Sequence, residues 1–111
     1  MVDSSIVEIV KRYLRALQKA GIHSQSGVLF GSYARGEAGK WSDIDLVVIA
    51  PEFDGPRSLP LVEKLWQITT EADNRIEPIP CGEREWRIEE GRPILDIARR
   101  EGMEISIGPP V

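Results

Sequence analysis

Asp43 and Asp45 lie one residue apart at the head of an almost wholly apolar run, residues 44–49. On an extended chain, residues i and i+2 share a face, so the two carboxylates project together while Ile44 and Leu46 turn toward a core. Close like charges repel, and one carboxyl pKa rises unless a cation sits between them. Oxygen donors without Cys or His beside them select a hard divalent ion, Mg²⁺ or Mn²⁺, and Mg²⁺ is commonly held by carboxylates together with substrate phosphates. Upstream, Gly31 and Ser32 follow a short apolar run and open "SYARG", which reads as a short helix. A glycine there lets backbone approach a phosphate, free N–H groups at a helix start attract anions, and Ser32 adds a hydroxyl. Arg35, one turn on, can either reach a phosphate oxygen or pair with Glu37. Together these parts make a nucleoside triphosphate and Mg²⁺ site, with in-line attack on phosphorus as its chemistry. The plainer alternatives are a turn shaped by Ser42 and Asp43 and, for Gly31 and Ser32, an ordinary turn with an N-cap, which is compatible with a phosphate role; the spacing between the two halves favours the metal site.

Several elements must position these residues. Ile6, Ile9, Val10, Tyr13, Leu14 and Leu17 recur at helical spacing and predict an amphipathic helix over 5–20, with Ser5 and Glu8 at capping-box spacing and Gly21 at its stop. Residues 28–30 and 44–49 predict buried strands. The proline-rich stretch 51–60 reads as a loop, and a helix follows it with Ser58 as N-cap, Pro60 in its first turn and Trp66 in the core. Residues 75–79 predict a short strand, with Pro78 confining it to an edge or to its own last residues. Pro93 opens a further helix closed by Gly102, and residues 103–107 alternate as a last strand before Gly108, Pro109 and Pro110 end the order. The sequence of elements, helix, strand, short helix, strand, helix, strand, helix, strand, predicts a small mixed sheet with helices, an α/β or α+β domain.

The composition bounds what this domain can do. A length of 111 residues, 41% hydrophobic, fits one domain over 1–111 with one core. Cys81 is the one cysteine, which excludes an internal disulfide, and no basic, apolar export segment is present, so the cytoplasm is the expected compartment. No apolar run approaches a membrane span. Fourteen Lys and Arg against eighteen Asp and Glu give a formal charge of −4, which argues against binding a nucleic-acid polymer but allows a small anion at one local site. His23 and Cys81 lack partners at metal-ligand or triad spacing, so His23 is expected at a loop or helix end and Cys81 half-buried. Trp86, with Arg84 and Arg87, could form a partner-facing patch, but reads first as a packing ring among solvated charges. Lys40 and Trp41, just before the aspartates, could meet a phosphate and stack on a base, or be a solvated charge and a packing aromatic.

"FGS" at 30–32, ten intervening residues, then "DID" at 43–45 followed by Leu46 resembles the signature of the DNA polymerase beta nucleotidyltransferase superfamily. The longer string "GSYARGEAGKWSDIDLVV" is most similar to the minimal nucleotidyltransferases, the MntA-like antitoxins paired with a HEPN-domain toxin, and "RPILDIARREGMEI" resembles that family's closing helix and strand. The compound motif is specific because each half restricts the other. The resemblance implies a polymerase beta-like fold and transfer of AMP from ATP, by a two-metal mechanism, to a hydroxyl such as a tyrosine of the HEPN toxin. It implies Mg²⁺ (two ions, Mn²⁺ possible) at Asp43, Asp45 and a third carboxylate, for which Glu77 in "RIEPIP" is the candidate, and phosphates at Gly31, Ser32 and Arg35. The family more often has Asp at the third place; Glu is one methylene longer. Two other functions stay open: a non-catalytic antitoxin that neutralises by binding, and a small-molecule, aminoglycoside-type nucleotidyltransferase.

Overall fold

A computed structural model describes residues 3–88 and 91–108. The first helix, α1 (Ser4–Lys19), buries Ile6, Val10, Tyr13, Leu14 and Leu17 along one stripe. Its N-cap is Asp3, not Ser5: the Asp3 carboxylate accepts a 2.9 Å bond from the Ser5 amide. A charged acceptor at the positive end of the helix wins over a serine two residues further in. Strand β1 (Ser26–Phe30) leads into α2 (Ser32–Arg35), and β2 (Ile44–Ile49) follows the loop that carries Asp43. A 3-10 turn (Pro51–Phe53) and a loop precede α3 (Leu59–Gln67), whose first turn is capped by the Ser58 hydroxyl and holds Pro60, as expected.

Strand β3 (Ile76–Cys81), α4 (Glu83–Arg87), α5 (Pro93–Glu101) and β4 (Met103–Ser106) complete the order. The four strands run β3-β2-β1-β4; β1 is antiparallel to β2 and β4, whereas β2 and β3 are parallel and are joined by the α3 crossover. Pro78 therefore lies on an edge strand, where its missing N–H costs no central ladder bond. The expected stop at Pro109 and Pro110 lies outside the described residues.

Strand alternation divides the core. Leu29, Ile44, Leu46, Val48, Ile76 and Ile105 face α1 and α3, while Val28, Phe30, Val47, Ile49 and Cys81 face Leu95 and Ala98 of α5. Tyr13 ties α1 to α3, its buried hydroxyl donating 2.6 Å to the Leu65 carbonyl. Two further expectations need correction, and one element is new. Helix α4 was not signalled by periodicity. Trp66 is 47% exposed rather than core, because Leu65 and Ile68 take the inward stripe of a short helix. Cys81 is fully rather than half buried. Trp86 does pack as expected, with the Arg99 guanidinium 4.8 Å from its ring centre. Among the described residues, no helix is long and apolar enough to cross a membrane.

Candidate active site

Register and alternation bring two of the expected carboxylates side by side. Asp45 on β2 is paired with Phe30 on β1 and with Glu77 on β3, so the three form a row across the sheet. That row lies on the α5 face, at the end beyond Val47 and Ile79. Asp43 stands exposed in the last turn of loop before β2. The glycine and serine come to the same place. Gly31 adopts φ 75° and ψ −150°, a region open essentially only to glycine, and a Cβ on it would drive into the Asp45 carboxylate. The N-cap of α2 is Gly31, and Ser32 is the first helical residue.

The electrostatics follow from this crowding. Burial, and then the neighbouring Asp43 charge, push the Asp45 carboxyl above its ordinary range, with Arg35 pulling it partly back. Burial also raises Glu77, followed by Asp43 and then Asp45. Asp45 and Glu77 thus both feel the Asp43 charge, a repulsion that a cation among them would relieve. Their donor set is hard oxygen. His23 is engaged with Glu52 past the other end of β2, and buried Cys81 closes β3. Such a set fits Mg²⁺ or Mn²⁺ and not zinc. Among the described residues, no three acidic, His or Cys side chains already stand together at ion-holding distance.

A sequence profile described as "Nucleotidyltransferase domain" matches residues 7–93. The chain belongs to the nucleotidyltransferase domain family. No curated protein matches it. Among solved structures, this nucleotidyltransferase is similar to one titled "Crystal structure of the toxin-antitoxin with AMP-PNP", at 20% identity and a TM-score of 0.61, covering 86% of this chain and 70% of that one. It is also similar to a candidate nucleotidyltransferase from Sulfolobus solfataricus, at 17% identity and a TM-score of 0.52, covering 75% and 72%. Both likenesses concern the fold, which is that of the minimal, polymerase beta-like nucleotidyltransferases.

Arg35 of this nucleotidyltransferase is held by two carboxylates, donating 3.0 Å to Glu101 at the end of α5 and 3.3 Å to Glu37. Both alternatives foreseen for it remain compatible, because these exposed pairs are weak and an incoming phosphate can displace them. Sequence reasoning missed a second arginine. Arg75, just before β3, is gripped by Asp73 through Nε at 3.0 Å and Nη2 at 2.7 Å, and donates to the Tyr33 hydroxyl at 2.9 Å. It links the start of β3 to α2, and its backbone carbonyl accepts the Ile44 amide at 2.9 Å, beside Asp43. The signal was present in "ADNR", an Asx turn before a strand.

Proposed function

We propose that this protein transfers AMP from ATP to a hydroxyl on a partner protein, and that it serves as the antitoxin of a toxin-antitoxin pair whose toxin is a HEPN-domain protein. The observation that carries this reading is the seat of Gly31 directly on the Asp45 carboxylate, which makes the glycine-serine turn and the acidic strand one site. Asp43, Asp45 and Glu77 would hold two divalent ions, Mg²⁺ or alternatively Mn²⁺, which supply charge neutralisation and polarise the reacting phosphorus. Gly31 and Ser32 position the β and γ phosphates, and Arg35 leaves Glu37 and Glu101 to meet a phosphate oxygen. The acceptor oxygen, a tyrosine hydroxyl, attacks the α phosphorus; the bond from that phosphorus to the bridging oxygen breaks, and pyrophosphate departs. Glu77 would also take the hydroxyl proton. A reaction of this kind runs in the cytoplasm, where ATP is available.

Intact-protein mass spectrometry tests this reading. Incubation with ATP, Mg²⁺ and the product of the neighbouring gene is expected to add one or more AMP units to that product, and none when Asp43 and Asp45 are both changed to Asn. Absence of any gain with the wild-type protein overturns the transferase. A second reading, neutralisation by binding alone, is favoured by the absence of a tight three-carboxylate group among the described residues. It is distinguished by a double Asn variant that still silences the partner when mixed one to one.

A further inference from the structure

Helix α2 has little of its own to hold it in place. It is a single turn of four residues, too short to be stable alone, and it has no fully buried side chain, with Tyr33 resting partly on the larger core. Yet it carries Ser32, and it must keep a fixed distance from the carboxylates if phosphate and metal are to meet. Among the described residues, two side-chain hydrogen bonds tie α2 to the fold beyond its own loop: Arg35 to Glu101 at 3.0 Å, and Arg75 to the Tyr33 hydroxyl at 2.9 Å. The first is given up when Arg35 turns to a phosphate. The second is then the tie that remains, and it is built differently.

Arg75 is partly buried, and its orientation is set before it meets Tyr33. The Asp73 carboxylate accepts from Nε at 3.0 Å and Nη2 at 2.7 Å, a two-pronged grip, and from the Arg75 amide at 2.8 Å. That leaves Nη1 for Tyr33 and, at 3.4 Å, for the Lys40 carbonyl. Lys40 belongs to a turn closed on itself: the Gly39 amide donates 2.8 Å to the Ser42 hydroxyl, and the Ser42 amide donates 3.1 Å to the Gly39 carbonyl. Asp43 follows that turn directly. On the other side of Asp43, the Ile44 amide donates 2.9 Å to the Arg75 carbonyl. Glu77 stands two residues after Arg75 in the chain. One arginine therefore meets α2, flanks Asp43 on both sides and leads into the strand of Glu77. Among the described residues, it makes no hydrogen bond to the side chains of Ser32, Asp43, Asp45 or Glu77 themselves.

We propose that Arg75 is a positioning residue: with Asp73 and Tyr33 it forms a strut that fixes the phosphate turn on α2 relative to the loop and strand that carry the carboxylates. This rests on the nucleotidyl-transfer reading above. The shape of the guanidinium and not its charge carries the role, because a lysine ammonium cannot grip Asp73 with two parallel bonds and reach Tyr33 as well. The effect belongs to the chemical step, where a small misalignment of reacting groups is costly, and not to the affinity for ATP.

Initial rates of AMP transfer to the product of the neighbouring gene, in ATP and Mg²⁺, test this together with thermal melts. Tyr33→Phe deletes one hydroxyl; it is expected to melt near the wild-type temperature, to lower kcat about tenfold and to leave KM for ATP within about twofold. Arg75→Lys keeps the charge and is expected to lose at least as much. The double variant is expected to be no slower than Arg75→Lys alone, since both changes break the same link. Wild-type kcat in Tyr33→Phe or in Arg75→Lys, counted per folded molecule, overturns the strut and leaves the transfer reading standing. So does a double variant whose losses multiply, because Tyr33 and Arg75 would then act separately. A raised KM with kcat unchanged also overturns it, making Arg75 a contact for the nucleotide. If the wild type transfers no AMP, both readings fall together.

Discussion

Gly31 carries two constraints at once, a backbone conformation closed to side chains and contact with Asp45. Gly31→Ala is expected to destabilise the fold by about 1–3 kcal/mol, measured by urea unfolding, and to abolish transfer by displacing the carboxylate. Asp45 behaves in the opposite way. Its charge is partly buried and repelled by Asp43, so neutralising it removes a cost that the folded state carries at neutral pH. Asp45→Asn is expected to unfold at a higher temperature than the wild type while losing transfer, because the strain belongs to the site and not to the scaffold. A lower melting temperature for Asp45→Asn would show the carboxylate to be structural. The types and spacing of Gly31, Ser32, Asp43 and Asp45 stand in the sequence, but strand alternation sets the face of Asp45 alone, since Asp43 lies in the loop before β2 and Gly31 and Ser32 open α2. That the glycine lies on the second aspartate was not legible, since the contact depends on how β1 and β2 are registered.

At the level of elements, legibility followed how local the cause is. Strand β2 falls at its expected residues because six successive residues favour a buried strand, and Ser58 caps α3 through a bond three residues on. Helix α4 was invisible because its cap comes from far along the chain. The Asp54 carboxylate accepts from the Glu83 and Arg84 amides, each at 3.1 Å, and Gly82 leaves room for it, since a Cβ there would strike Asp54. Asp54→Ala is expected to cost about 0.5–2 kcal/mol in urea unfolding, in line with a lost N-cap. The turn before β3 has its own pH signature. Hydrogen bonds from Arg75 hold the Asp73 carboxyl below its ordinary range. A lowered folded pKa stabilises above the unfolded value of about 3.9, and the gain is lost as pH falls through the folded value. The stability difference between wild type and Asp73→Asn, about 1 kcal/mol at pH 7, is therefore expected to shrink as the pH falls below about 4. A difference that does not change with pH would mean that Asp73 acts through turn geometry alone.

In the whole molecule, stability and chemistry occupy different places. The larger core lies between α1, α3 and one face of the sheet, and the buried hydroxyls of Tyr13, Ser24 and Thr69 each donate a hydrogen bond. The carboxylates stand at one end of the other face, where Asp45 and Glu77 extend past the side chains that α5 covers. Loss of a core side chain and loss of the site should then separate cleanly. Leu14 is fully buried on α1, so Leu14→Ala opens a cavity worth about 2–5 kcal/mol, a large part of the roughly 5–15 kcal/mol that holds a domain together. That variant is expected to melt many degrees lower, and its transfer activity at low temperature should match its folded fraction. The Asp43→Asn, Asp45→Asn double variant is expected to keep the wild-type melting temperature or exceed it, to elute with its partner as the wild type does, and to transfer nothing. Thermal melts, size-exclusion chromatography and mass spectrometry on the same three proteins check this. If the double variant instead lost the partner along with the chemistry, the acidic end of the sheet would be part of the protein interface, and binding and transfer would share one surface.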